Sequence, residues 1–468
     1  MELYTVIIAS NLYLFRLDVD EMEHTPSDPV SRRTVLATTG SAAAFGLAGC
    51  IGDDDGGAAL EPLEDDLTAW HAMGGELGET LNRIGDDFEA ETGTGVNMEF
   101  QDTYEDVLTN TLAGFDSGSV ADMLQVDSLF AKQVLDTDQV RSVEEILPDD
   151  FDADGFLDNV ADFFTIDGDL ASLPFNNSNA IMYINRDAFE EAGLDPDDPP
   201  TTIAEVRSAS EALVDQGVTE FGITWPNHVW FVEHFYALEG ELMTDADNGH
   251  SGDPTEFHTP DAIYDFYEWW KGMADDDLYT NPGIEAWGET TSLFVEEQVG
   301  MIMTSTASVA GLIADTEGVF EVDAAPHPSI SDTRVGPVIG GASFYVPEGF
   351  AEERYEEIGQ LLAYMSDPDV QVDWHQGTGY YPITESSVEN LEAENWFEDN
   401  PMYGTALEQL RSADTDHPAT SRILLGPARQ IQTTVQNKSV DIINADDIEP
   451  EIEEMKEEAE EELESYYG

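Results

Sequence analysis

The chain has 468 residues, with 100 Asp and Glu against 16 Lys and Arg, a formal net charge of −84. Such a surface repels phosphate backbones and excludes a nucleic-acid binder, which needs a basic face. With 41% hydrophobic and 10% aromatic residues it has ample material for a core, which excludes a charged disordered chain, and its length suits one large or two medium domains.

Of the basic residues, 12 are Arg and 4 are Lys. A surface this acidic repels itself in dilute salt but becomes tolerable where molar salt shortens the screening length to about 3 Å. It reads as the protein of a halophile, a salt-accumulating archaeon. Carboxylates are therefore background, and a pair of them carries little catalytic information.

Cys50 is the single cysteine, so neither a disulfide framework nor a Cys-based metal site is expected. Ser31-Arg32-Arg33-Thr34-Val35-Leu36 opens a mildly apolar stretch that runs to Ala48. That is a twin-arginine n-region with a short apolar region, too short to span a membrane permanently. Leu47-Ala48-Gly49-Cys50 resembles a lipobox, in which the Cys thiol takes a diacyl lipid and becomes the mature N-terminus. Two acyl chains suffice for stable anchoring. Residues 31–50 are thus read as a twin-arginine lipoprotein signal. Residues 51–66, with Asp53-Asp54-Asp55-Gly56-Gly57, are read as a flexible acidic tether. Residues 1–30 are an extension outside this plan, with Met22 as an alternative start. The expected location is the extracellular face of the cell membrane, lipid-anchored, with a net charge of −81 from Cys50 onward.

From Leu67 strand and helix alternate. Leu67–Trp70 predicts a strand, and Leu77, Leu81, Ile84 and Phe88 recur at helical spacing. Val96–Phe100 alternates as a second strand. Tyr104, Val107, Leu108, Leu112 and Phe115 draw a second helical stripe, and Met123–Val126 a third strand. This order implies a parallel sheet with crossover helices, whose ligand sites lie beyond the carboxyl ends of the strands. The loops after Trp70, Phe100 and Val126 are the places to look. A second α/β region follows Pro174, with a strand at Ile181–Ile184, a helix at Asp187–Ala192, a Pro-rich break at Asp195–Pro200 and a helix at Ile203–Val214. Further strands are expected at Gly300–Met303 and Ser343–Val346. Ile452, Met455, Ala459 and Leu463 mark the docked face of a glutamate-covered last helix.

Phosphate loops, dinucleotide fingerprints, zinc-protease motifs and nucleophile elbows are all absent from the sequence. Asp245–Gly249 has its Gly one place early for a calcium loop and reads as a turn. Pairing of His228 with His234, or His250 with His258, is no better than chance. No catalytic residue, metal ligand or cofactor is expected.

Several strings do carry a resemblance: Trp70-His71-Ala72-Met73-Gly74-Gly75-Glu76-Leu77-Gly78, Pro174-Phe175-Asn176-Asn177-Ser178, Tyr183–Phe189, Ala192–Pro196, Ile339-Gly340-Gly341-Ala342-Ser343, Trp374–Thr384 and Leu425-Gly426. Together they resemble the family-1 extracellular solute-binding proteins of ABC importers, with the sn-glycerol-3-phosphate-binding branch closest. The matches run in order over about 67 to 440. The resemblance implies an α/β, periplasmic-binding-protein-like (type II) fold: two α/β lobes with a hinge and an interlobe ligand cleft. Lobe one is expected at 67–178 plus 343–388, and lobe two at 179–342 plus 389–468.

The resemblance also implies ligand contacts at Tyr104, Ser128, Ser178, Thr306, Gly341, Tyr380 and Gln432. Hydroxyl donors and a close backbone approach at Gly341 suit a hydroxylated or anionic ligand. Two positions depart from the branch. Ser128, preceded by Asp127, stands where a Glu grips the glycerol hydroxyls, and Gln432 stands where an Arg faces the phosphate. Arg429, three residues earlier, can substitute on the same helical face; otherwise a neutral sugar fits better. Trp225, Trp230, Trp269, Trp270 and Trp287 are candidate stacking platforms, with Trp230 preferred.

The implied partners are a polyol phosphate or sugar, the two transmembrane subunits and ATPase of a permease, and the membrane through the lipid; the protein is expected to be a monomer. A secreted glycoside hydrolase and a ligand-sensing or adhesion lipoprotein are the other readings.

Overall fold

The computed structural model describes residues 60–149, 151–166 and 168–468. The segments expected from sequence to be an extension, a twin-arginine signal with Cys50 and, up to residue 59, a tether lie outside the described residues.

Strands β1 (Leu67–His71), β2 (Val96–Phe100) and β3 (Met123–Asp127) are parallel in the order β2-β1-β3, with Leu67 opposite Val96 and Ala69 opposite Met123. The crossovers are helices Gly75–Thr92 and Tyr104–Ser117, as the apolar stripes predict. Thr103 caps the second helix by accepting from the Asp106 amide, which holds Tyr104 at its first turn. Three short strands follow: β4 (Val140–Arg141), β5 (Thr165–Ile166) and β6 (Asp169–Leu170). Then come β7 (Leu173–Ser178), β8 (Ala180–Asn185), β9 (Phe221–Thr224), β10 (Val299–Ser305), β11 (Val322–Pro326) and β12 (Gly340–Pro347).

One sheet runs β2-β1-β3-β12-β4 with β7 also paired to β12; a second runs β11-β8-β10-β9. The chain changes sheet abruptly, because β7 belongs to the first, β8 to the second, and Asn179 alone separates them. It returns through residues 327–339, so β12 lies antiparallel to both β3 and β7. Gly341 permits this crossing. Its φ is +91°, and a Cβ there would lie 1.9 Å from the Asn176 carbonyl oxygen.

Helix Pro368–Thr378 packs on helix Gly75–Thr92 beside the first sheet, while helix Pro401–Arg411 packs on β11 of the second. The last helix, Glu449–Tyr467, buries Ile452, Met455, Ala459 and Leu463, the stripe read from sequence. Asp245–Gly249 turns through left-handed Ala246 and Asp247. Among the described residues, no helix is long and apolar enough to cross a membrane.

The end of the expected tether is tied down rather than free. The Leu60 amide donates to the Gly349 carbonyl at 2.9 Å. The Arg354 guanidinium donates to the carbonyls of Glu64, Asp65 and Asp66 while also pairing with buried Asp122. A buried cation needs several acceptors, and the backbone just before β1 supplies them.

Candidate ligand-binding cleft

A cavity of about 460 Å³ opens where the two sheets meet. The first sheet contributes the loops after β1 and β2, through Ala72 and Asp102–Glu105, and the end of β3 with the turn after it, through Asp127, Leu129 and Phe130, as the rule for open α/β sheets leads one to expect. The opposite wall comes from His228 and Trp230 at the start of helix Val229–Glu239, from Glu285 and Trp287, and from Ser305 and Ala307 at and just past the end of β10. Ser178, Gly340 and Gly341 of the crossing strands form the back.

Of the residues named from sequence, Tyr104, Ser178, Trp230, Gly341, Tyr380 and Gln432 line this cavity. Tyr380 stacks on Trp374 with an interplanar angle of 6°, and its hydroxyl lies beside those of Tyr104 and the Asn176 amide. Burial, then the neighbouring Tyr380 and Asp127, raise the Tyr104 phenol well above its ordinary pKa, so it is a neutral hydroxyl at any ordinary pH.

Ser128 and Thr306 are buried behind the wall. Ser128 donates to the Gly341 carbonyl at 3.0 Å and accepts from Arg422; its neighbours Asp127 and Leu129 face the cavity instead. Thr306 donates its amide to the Asn179 carbonyl at 3.0 Å, while Ser305 and Ala307 take the lining positions. Both residues sit in single 3-10 turns at strand ends, where the facing of side chains follows neither strand nor helix periodicity.

Arg429 lies exposed and outside the lining. Its helix, Ala428–Asn444, buries Ala428, Ile431, Gln432, Val435, Gln436 and Ser439. Three places before Gln432, Arg429 is turned about 60° to the side opposite Val435, past the edge of the buried face and into solvent.

The cation of the cleft is Arg422, which sequence reading missed. It is 2% exposed and lies on the segment preceding Leu425-Gly426. Its Nη1 donates to Asp127 Oδ1 at 3.1 Å and to Ser128, and its Nε donates to Glu233 Oε2 at 3.2 Å. Glu233 also accepts the Ile423 amide at 2.9 Å. Among the described residues Arg422 Nη2 has no hydrogen-bond partner, and Arg422 lines the cavity. Burial pushes both Asp127 and Glu233 up from the ordinary carboxylate range, and the Arg422 charge opposes that rise. A signal was present in the sequence. Glu233 is the one acidic residue in the largely apolar run Val229–Leu238, and a charge on a helix buried all round requires a partner.

Gln432 Nε2 lies 3.0 Å from His228 Nε2 and 3.1 Å from Glu285 Oε1. Burial, then the Arg422 charge, lowers His228 to about 3, so its imidazole is neutral. Glu285 holds a left-handed φ of 54°, an uncommon backbone for Glu that aims it at this corner. Trp230 and Trp287, ring centroids 6.4 Å apart, complete an aromatic wall. Trp225, Trp269 and Trp270 instead form a packed aromatic core, with Trp225 stacked on Trp269 at 8°. Among the described residues, no group of three or more His, Cys, Asp and Glu is placed to hold a metal ion.

A cavity of this size, walled by aromatic rings and lined with hydroxyls, one fixed guanidinium and several carboxylates, is suited to holding a small hydroxylated solute. Two sheets joined by crossing strands around such a cavity define a solute-binding protein. A model of the bacterial extracellular solute-binding proteins matches residues 83–405, and the chain belongs to that family.

Among its relatives, the sn-glycerol-3-phosphate-binding periplasmic protein UgpB of Yersinia pseudotuberculosis is 29% identical over 385 residues, covering 80% of this chain and 86% of that protein. The protein of the same name from Pectobacterium atrosepticum is 28% identical over the same length. These relatives are bacterial. UgpB from Mycobacterium tuberculosis in complex with glycerophosphocholine shares the fold at a TM-score of 0.71 and 19% identity, over 86% of this chain and all of that one. The maltotriose-binding protein of Thermus thermophilus does so at 0.68 and 17%, also over 86% of this chain. The fold class read from sequence, type II with two α/β halves, is that of these structures.

Proposed function

We propose that this protein is the substrate-binding subunit of an ABC importer and that it captures a glycerol phosphate, best a glycerophosphodiester, between lobes 67–178 plus 343–388 and 179–342 plus 389–468. The observation that carries this reading is Arg422, a buried guanidinium in the cavity with one nitrogen unclaimed. Two carboxylates already balance it, and Asp102, Glu105 and Glu285 also line the site. A phosphate monoester carries roughly −1.5 to −2 charges near neutral pH, whereas a diester carries one. With two carboxylates already on Arg422, the smaller charge of a diester is the one this site takes at less electrostatic cost. Glu105 and Ser178 then serve the glycerol hydroxyls, and Trp230 and Trp287 cover carbon. Tyr104, Gly341, Tyr380 and Gln432 contact the ligand in this reading.

The carboxylate surplus and the tryptophan wall favour a second ligand, a neutral sugar. Calorimetry in molar KCl with glycerol-3-phosphate, a glycerophosphodiester and a neutral disaccharide separates the two. Heat with the diester and not with the disaccharide supports the first reading, heat with the disaccharide alone supports the second, and no heat with any of them removes both. The ligand is released unchanged, so incubation with glycerophosphodiesters and glycosides yields no cleavage product. Twin-arginine export, diacylation of Cys50 and a salt-adapted surface belong to the same proposal. A Cys50→Ser variant is expected to appear in the medium rather than in the membrane fraction.

A further inference from the structure

Gln125 and Asn176 are fully buried behind Tyr104. Their hydrogen bonds form a chain with a direction. The Ala72 backbone N–H can only donate, and it donates to Gln125 Oε1 at 2.8 Å. The amino end of Gln125 therefore points the other way, donating to Asn176 Oδ1 at 2.9 Å. Asn176 is left with its own amino end, which donates to the Tyr104 hydroxyl oxygen at 2.8 Å. A side-chain amide has one accepting and one donating end, so the direction set by one backbone N–H is passed on to Tyr104 without choice. With its oxygen already accepting, the Tyr104 proton points away from Asn176, toward Tyr380 and the cavity. Tyr380 lies beside both groups and lines the cavity as well.

We infer that Gln125 and Asn176 are positioning residues that orient the Tyr104–Tyr380 wall as a hydrogen-bond donor, selecting ligands whose oxygens only accept. Phosphodiester oxygens are of that kind. A sugar hydroxyl can turn to meet either polarity, so it gains nothing from a fixed one. Sites with committed polarity discriminate strongly, because the wrong partner leaves a buried group unpaired. The inference rests on the ligand class proposed above.

Gln125→Met keeps the length of the side chain but removes both ends of the relay, freeing Asn176 to turn over. The expected result, by calorimetry in molar KCl, is about a tenfold loss of glycerophosphodiester affinity, the loss that follows from about 1.4 kcal/mol. Affinity for a neutral disaccharide, where measurable, changes less than twofold. Equal losses for both ligands, or none for either, overturn the inference.

A measurement on the unaltered, ligand-free chain stands even if the variant fails to fold. With selectively labelled Asn and Tyr, the Asn176 amide protons are expected to show nuclear Overhauser contacts to the Tyr104 ring protons ortho to the hydroxyl. Their absence overturns the relay. If those contacts are present but the unaltered chain binds no phosphodiester, the proposed function and the selectivity fall together, and only the polarity of the wall survives.

Discussion

Arg422 and Asp127 meet across the cleft, Nη1 to Oδ1 at 3.1 Å, and so join the carboxyl end of β3 to the segment preceding helix Ala428–Asn444. On its other side the same guanidinium holds Glu233. A buried cation held between buried Glu233 and part-buried Asp127 costs much in desolvation, and removing one member of a buried ion pair typically destabilises by about 3–5 kcal/mol. That arrangement ties the local charge of the cavity to the approach of its walls.

Arg422→Gln is therefore expected to reduce glycerophosphodiester affinity by at least about 100-fold, as loss of a charge-assisted contact plus exposure of two uncompensated carboxylates requires. Arg429→Gln, at an exposed site, is expected to leave affinity within about twofold, since surface charges in molar salt are screened. Calorimetry on both variants checks this, and the opposite ranking would put the anion site at Arg429.

The five tryptophans divide into two groups. Trp287→Ala is expected to weaken ligand binding with little change in unfolding, because the ring is only partly packed at the cavity wall. Trp225→Ala empties a fully buried aromatic cluster and is expected to cost about 3–5 kcal/mol of stability. Paired urea unfolding and ligand titrations distinguish the two outcomes.

Acid weakens the fold through its histidines. Burial lowers His228 and His234 to about 3 and His375 to about 4, and it also lowers His71, His250 and His327. In the unfolded chain each titrates near 6.5, so on acidification the unfolded state takes up protons that the native state refuses. The stabilisation is complete above about pH 6.5 and falls below it, by up to about 1.4 kcal/mol per pH unit for each histidine. Asp127 and Glu233, raised by burial, act in the opposite sense and weaken the fold as pH rises through their native range. At constant salt the urea midpoint at pH 5.5 is expected to lie below that at pH 7.5; equal midpoints would contradict these burials.

Gly341→Ala places a methyl group 1.9 Å from the Asn176 oxygen at a left-handed φ. Loss of more than about 2 kcal/mol, or failure to fold, is expected, since strain and overpacking add. Gly311→Ala, in helix Val309–Thr316 with nothing within 4 Å of its new methyl, is the contrast. There, removing a helical glycine gains up to about 1 kcal/mol. Thermal unfolding of the two variants checks the difference.

Much of the scaffold was legible because it is local. Leu81, Ile84 and Phe88 mark a buried helical face by spacing alone, and the three opening strands follow from their alternation with such helices. The cavity loops followed from a general property of parallel sheets. What escaped depends on tertiary meetings: Asp127, Arg422 and Glu233 lie on three separate elements, and the acidic background hid both carboxylates. Ser128 and Thr306 escaped for a local reason, since single 3-10 turns re-aim side chains by one position. The tryptophans were indistinguishable in sequence because core and cleft wall demand the same ring.

Small-angle scattering of the chain in molar KCl, with and without saturating glycerophosphodiester, tests most directly whether the two halves close on a solute. A smaller radius of gyration with ligand, absent when Arg422→Gln replaces the unaltered chain, is the predicted result. Bound ligand with an unchanged radius of gyration would contradict capture by closure around Arg422.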